Sequence, residues 1–313
     1  MRVGIAIDVS TDVSPEFVAD NHIHVLPSTI HMGSKAVVYD RDPVKGLAFY
    51  RELPALGVDT ETTPFSVKEI EQLFLQRLVL DYDYIFLITL TGTRSQTYQN
   101  AHKASYTILK SYNEVRRAQR VPGAFALRVV DSQSLFTGPG VLAWEMVRML
   151  KAGRSPLEIR ERMDELIPYL FAYLIPKDLH YARAHIKKRK DKSVSLLSYL
   201  VGSALDIKPI IKVHCADTQT VAQARHHGNA VERLFLHCAE RIRHGLLIPM
   251  IGISYGGDPA LVAQMPGYAD LAAAAAASGV ELMVSMMAPA GAVNVGGEAV
   301  TAAYCAADAG DFA

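Results

Sequence analysis

The feature that most constrains this chain is a succession of short, continuously apolar runs separated by amphipathic helical patterns. RVGIAI (2–7), HVLPSTI (24–30), DYIFLITL (83–90) and ALRVVD, ending at Asp131, read as strands. They are apolar on both faces, as strands buried in a parallel sheet are. Between them, SVKEIEQLFLQRL places Val67, Ile70, Leu73, Phe74 and Leu78 at helical spacing, and Ser66 with Glu69 makes a capping box. GVLAWEMVRMLKAG ends on Gly153, suited to a left-handed C-cap. This alternation predicts right-handed crossovers and an open α/β sheet. Ligands of such sheets sit beyond the carboxyl ends of the strands.

SPLEIRERMDELIPYL is the strongest helix start, with Ser155 at the cap, Pro156 at N1 and Glu158 at N3. The expected division falls beside it: an N-terminal α/β domain over 1–160 and a second α/β domain over 161–313. In the second half we expect helices over 193–205, 220–243 and 258–278, the last ending at Gly279. The expected strands are KPIIKV (208–213), IPMIGIS (248–254) and ELMVSM (281–286). No low-complexity linker separates the halves, so a substantial interface is expected. Two basic stretches, 110–124 and HIKKRKDK (185–192), read as insertions.

Charge narrows the function. Lys+Arg and Asp+Glu are each 32, and this balance gives no electrostatic reason to expect nucleic acid or an anionic membrane as a stable partner. Cys215, Cys238 and Cys305 are too few and too scattered for a disulfide framework, which fits a reducing, cytoplasmic setting. The first apolar run is too short for a signal peptide. The alanine-rich segment 271–293 is broken by Glu281 and is not read as a membrane span.

Hydroxyls gather at three places: DVST (8–11), DTETTPFS (59–66) and LITLTGTRSQTYQNA (87–101). Small neutral donors at a strand-to-helix junction suit an anion. The plainer reading is helix capping, and Thr93 with Gln96 has the spacing of a capping box. Asp8 and Asp131 stand at strand ends. They are read either as cap and loop acceptors or as an acid pair for phosphoryl transfer or hydrolysis. His226, His227 and His237 have no zinc spacing. No phosphate loop or serine-nucleophile elbow occurs.

In order along the chain come IDVSTD, the paired threonines before Pro64, TGTRSQTYQNA, RVVDSQS, ALDIKPIIKV, AQARHHGNAVERL and AVNVGGEA. This order and spacing resembles the DegV family, bacterial two-domain α/β fatty-acid-binding proteins that include the binding subunit of fatty acid kinase. The sharpest pieces are S-x-T-Y-Q at Ser95–Gln99 and D-I-K-P-I at Asp206–Ile210. The resemblance implies a non-catalytic carrier without cofactor or metal, whose ligand is a long-chain fatty acid in a tunnel between the domains. It implies that Thr62, with Thr63 beside it, and Ser95 hold the carboxylate. Arg225 matches a family arginine in the second domain, and an acyl-phosphorylating kinase is the implied partner.

The chain departs from the family pattern at several positions. Glu61 and Thr63 flank Thr62, Gln96 replaces a glycine, and Ser193 stands at an arginine position. Asn294 takes the place of a histidine, and Gly297 that of a proline. Asn294 can still donate to a carboxylate. The run 185–192 reads as a solvated face, with docking to an acidic partner or transient contact with a membrane surface as its alternatives.

Overall fold

The computed structural model describes residues 1–57, 59–188 and 206–312. The first sheet has the order β2-β1-β6-β7: β1 (Val3–Asp8), β2 (His24–Leu26), β6 (Tyr84–Thr89) and β7 (Ala126–Asp131). All its pairings are parallel, as the unbroken apolar runs require. Behind it lie α3 (Val67–Leu73), extended by a π turn, Phe74–Leu78, into α4 (Val79–Asp81), and the long α5 (Thr97–Ala118). Ser66 and Glu69 cap α3 reciprocally.

HVLPSTI is not one strand. Pro27 has no N–H to donate to a ladder, and the chain changes sheet there. His24–Leu26 stays in the parallel sheet. β3 (Ser28–Met32) instead centres a separate three-stranded antiparallel sheet with β4 (Lys35–Tyr39) and β5 (Thr60–Pro64). The threonine segment before Pro64 is therefore β5, with Thr60 and Thr62 on one face and Glu61 and Thr63 on the other. Between β4 and β5 runs α2 (Pro43–Leu56), capped by Asp42.

The second sheet has the order β10-β9-β8-β13-β11-β12. Its strands are β8 (Leu170–Ile175), β9 (Ile207–His214), β10 (Asp217–Arg225), β11 (Met250–Tyr255), β12 (Glu281–Met286) and β13 (Val300–Cys305). Only β11 and β12 pair in parallel. The expected helix 220–243 is corrected here. Residues 217–225 are β10, antiparallel to β9, and the helix α9 spans His227–His244. The period-2 pattern of TQTVAQAR favours a strand, and pairing with β9 satisfies its backbone. The expected helix 258–278 also divides, into a 3₁₀ segment Pro259–Gln264 and α10 (Tyr268–Ser278), which ends at left-handed Gly279. The expected helix over 193–205, with Ser193, lies outside the described residues.

Helix α6 (Gly138–Lys151) is buried between the two large sheets. Its Val141, Leu142 and Met146 share one apolar cluster with Ile5 and Phe86 of the first sheet and Leu170, Met250 and Ala303 of the second. Helix α7 (Pro156–Leu166) begins with the Ser155–Glu158 capping box. The stretch 110–124 is the end of α5 and the following turn, and most of it is exposed. Its Arg116 is 1% exposed and donates to the carbonyls of Val79, Tyr82, Gly123 and Ala124 and to Asp83. The basic run 185–192 begins at the end of α8 (Leu179–Lys188) and continues outside the described residues. Helix α11 (Pro289–Val295) closes the space between the three-stranded sheet and α8. No helix among the described residues is long and apolar enough to cross a membrane.

Candidate functional site

Beyond the carboxyl ends of β1 and β6, where an open sheet exposes its loops, lies a cavity of about 170 Å³. Where roughly 10–15 Å³ of such space holds one water, this accepts about a dozen groups of water or methylene size. Leu26, Leu90, Leu135, Phe136, Leu174, Ile211 and Val295 supply apolar wall from both halves of the chain. Polar groups are interspersed: Asp8 and Ser10 after β1, Ser28 on β3, Thr62 on β5, Arg94, Ser95 and Thr97 after β6, Thr218 on β10 and Asn294 on α11.

The loop after β6 is built by its own hydroxyls. The Thr93 N–H donates to Thr91 Oγ1 at 3.4 Å, and the Thr97 N–H donates to Ser95 Oγ at 3.2 Å. Ser95 and Thr97 share a hydroxyl–hydroxyl bond of 2.8 Å. The Thr93–Gln96 capping box does not form. Helix α5 starts at Thr97 after Gln96, which makes no side-chain cap bond, so Ser95 satisfies the first turn instead. Gly92 sits where side chains crowd the backbone. A Cβ there would lie 2.9 Å from Gln99 Nε2 and 3.3 Å from Asp131 Oδ2.

Two carboxylates brace this loop. Asp8 accepts the N–H groups of Ser10 and Leu90 and the Ser10 hydroxyl. Burial raises its pKa, against those hydrogen bonds and the more distant Arg41. Asp131 accepts from the N–H of Gly92 at 3.2 Å and of Gln133 at 2.9 Å. Asp131 is not part of the cavity wall. Both acids are thus engaged as backbone acceptors, the capping role weighed against an acid pair.

A further acid, buried like Asp8, sets the opposite wall. Asp12 accepts from Ser254 Oγ at 2.7 Å and from the N–H of Ala288, the N-cap of α11, at 2.7 Å. Arg41 lies 3.5 Å away and also donates to the carbonyls of Thr11 and Val13. Burial lifts the Asp12 pKa to about 6, opposed chiefly by Arg41. This knot fixes α11, and with it Asn294, against the end of β1.

The pattern of motifs now has a three-dimensional counterpart. The family model of DegV proteins, a family described as uncharacterised, matches residues 2–307. The chain belongs to the DegV family. A DegV domain-containing protein of Xanthomonas campestris pv. campestris is 40% identical over 307 residues, spanning 98% of each chain. Among solved structures, a DegV lipid-binding protein of Thermotoga maritima superposes with a TM-score of 0.76 at 19% identity, covering 97% of this chain and 99% of that one. The fatty acid kinase B3 protein of Streptococcus pneumoniae, solved loaded with linoleic acid, gives 0.72 at 15% identity over 97% and 99%. At these identities the two structures establish the DegV fold.

Among the residues singled out in sequence, the structure brings Thr62, Ser95 and Asn294 to one DegV cavity and leaves two others out. Thr63 faces away from it, 3.0 Å from His31 Nε2, because strand alternation turns it opposite to Thr62. Glu61 shares that outer, exposed face, so it does not crowd the cavity. Arg225 is exposed at the far end of β10, seven residues from cavity-lining Thr218. At about 3.3 Å per residue it stands roughly 23 Å along the strand. It reaches that position because its segment is a strand and not the expected helix. The Asn294 amide donates to the Ala290 carbonyl at 2.9 Å, leaving its other proton and its oxygen for the cavity side.

Sequence reasoning missed three lining residues. Arg94 was visible as the lone charge in the hydroxyl cluster. Its guanidinium donates to Thr218 Oγ1 at 3.0 Å, so the site is not wholly neutral. Thr218 falls between the expected strand 208–213 and the expected helix 220–243 and belongs to neither, and Ser28 was hidden by reading residues 24–30 as one strand. Among the described residues no three His, Cys, Asp or Glu side chains converge as metal ligands. His237 instead bonds Tyr304 Oη at 2.8 Å and stacks on Phe312.

Proposed function

We propose that the cavity binds a long-chain fatty acid, with its carboxylate at Thr62 and Ser95 and its chain along the apolar wall. The observation that carries this reading is the meeting of Thr62, Ser95 and Asn294, from three separate elements, in a cavity whose apolar wall is built of Leu, Ile, Val, Phe, Pro and Ala side chains from both halves of the chain. A dozen buried methylene-sized groups at about 0.8 kcal/mol each give roughly 10 kcal/mol of gross driving force. The head group then needs orientation more than strength. Hydroxyls can hold it without the desolvation cost of a fully buried ion pair. Arg94, half-buried and shared with Thr218, supplies one positive charge at the same wall. Burial favours the neutral form of Asp8, which lessens its repulsion of an anionic ligand.

The lipid-binding Thermotoga maritima protein and the linoleic-acid-loaded Streptococcus pneumoniae protein support the same reading by their fold. The role is that of a carrier, without a catalytic residue. The same proposal has the bound acid presented to an acyl-phosphorylating kinase, a reading supported by the likeness to the fatty acid kinase B3 protein. The test is native mass spectrometry after bacterial expression. The protein should arrive with a C14–C18 acid, lost on delipidation and regained on adding the acid. A protein that carries no such mass and takes none up overturns the reading.

A further inference from the structure

Ser28 is 8% exposed and lines the cavity. Its hydroxyl has no hydrogen-bond partner among the described residues. Other buried atoms share that condition, among them Thr11 Oγ1, Ser134 Oγ and Thr137 Oγ1, but Ser28 is the one of them in this cavity wall. The sheet explains why no partner is near. Ser28 stands directly opposite Pro64 on β5 and Tyr39 on β4, so its side chain shares a face with theirs. Pro64 offers neither an N–H nor a polar side chain, and it too lines the cavity. Thr62 is the diagonal neighbour on the same face, roughly 7–8 Å away between backbones.

A buried hydroxyl left unpaired is costly, and native proteins leave few of them. An unsubstituted acyl chain has no group to satisfy this one. We propose that Ser28 is a hydrogen-bonding subsite for an oxygen substituent on the acyl chain, so that the cavity takes hydroxy fatty acids in preference to plain ones. Resting on the fatty-acid reading above, it places the ligand hydroxyl a few carbons from the carboxylate, the span from Thr62 to Ser28. A Ser28 hydroxyl has three staggered χ1 positions with which to meet it, and it can act as donor or acceptor.

The experiment compares delipidated wild type, Ser28→Ala and Ser28→Thr in titrations with hexadecanoic acid and 3-hydroxyhexadecanoic acid, taking the ratio of the two affinities for each protein. One good hydrogen bond is worth about fivefold in that ratio. We expect the hydroxy acid to bind wild type about fivefold more tightly, the preference to vanish in Ser28→Ala, and Ser28→Thr to retain it. A hydroxyl near the methyl end of the chain should earn no preference. Equal binding of the two acids by wild type, or a preference that survives in Ser28→Ala, overturns this inference and leaves fatty-acid binding standing. Failure of wild type to bind either acid overturns both.

Discussion

Replacing Asp12 by alanine should unfasten the wall that carries Asn294, and its cost can be worked from the contacts. Asp12 is 1% exposed and satisfies Ser254 Oγ and the Ala288 N–H. It is also the carboxylate beside Arg41, whose side chain is 8% exposed. Removing one member of a buried pair costs about 3–5 kcal/mol, because the partner charge is left behind. At pH 7.5 we expect a loss of about 3 kcal/mol, read as a shift of the urea midpoint at constant slope. The pH dependence gives a second signature. The folded pKa of about 6 lies above the ordinary 3.8, so the stability linked to this proton is complete below about pH 3.8 and is lost as pH rises through 6. Lowering the pH from 7.5 to 4.5 should therefore strengthen wild type relative to Asp12→Ala by about 2 kcal/mol. The destabilisation measured at pH 4.5 should be about 5 kcal/mol. A loss below about 1 kcal/mol, or a difference between the proteins that does not grow on acidification, refutes the assignment of Asp12 as a buried linchpin.

Further outcomes follow from the same geometry. Ser95→Ala removes one hydrogen bond to the proposed carboxylate and should weaken fatty-acid affinity about tenfold or more by fluorescence displacement, with the fold intact by circular dichroism. Ala290→Phe puts a ring into the cavity wall, so acid should no longer copurify by native mass spectrometry while cooperative unfolding is kept. Arg116→Met strips five acceptors of their buried donor and should cost at least about 4 kcal/mol in denaturant unfolding. Arg116→Lys should not restore it, since an ammonium cannot reproduce the fork.

Much of the parallel sheet was legible from local pattern. Strands β1, β6 and β7 follow from unbroken apolar runs, and α3 and α7 from the capping pairs at Ser66 and Ser155, because both signals lie within a few residues of sequence. The site was legible where a motif keeps its residues adjacent, as around Ser95. It was not legible where the decision belongs to a partner strand. Thr62 and Thr63 are chemically alike neighbours, and only the register of β5 against β3 turns one to the cavity and the other to His31. Likewise, residues 220–225 read from sequence as the front of a helix that in fact starts at His227, and pairing with β9 decides their state and removes Arg225 from the site. Ser28 looks like any strand serine until Pro64 comes to stand opposite it. Sequence alone thus determined the fold class, the buried strands and the hydroxyl-rich loop, each set by interactions near in the chain. Tertiary structure decided which hydroxyls share one cavity, since facing is a property of strand pairing and pairing joins residues far apart in sequence.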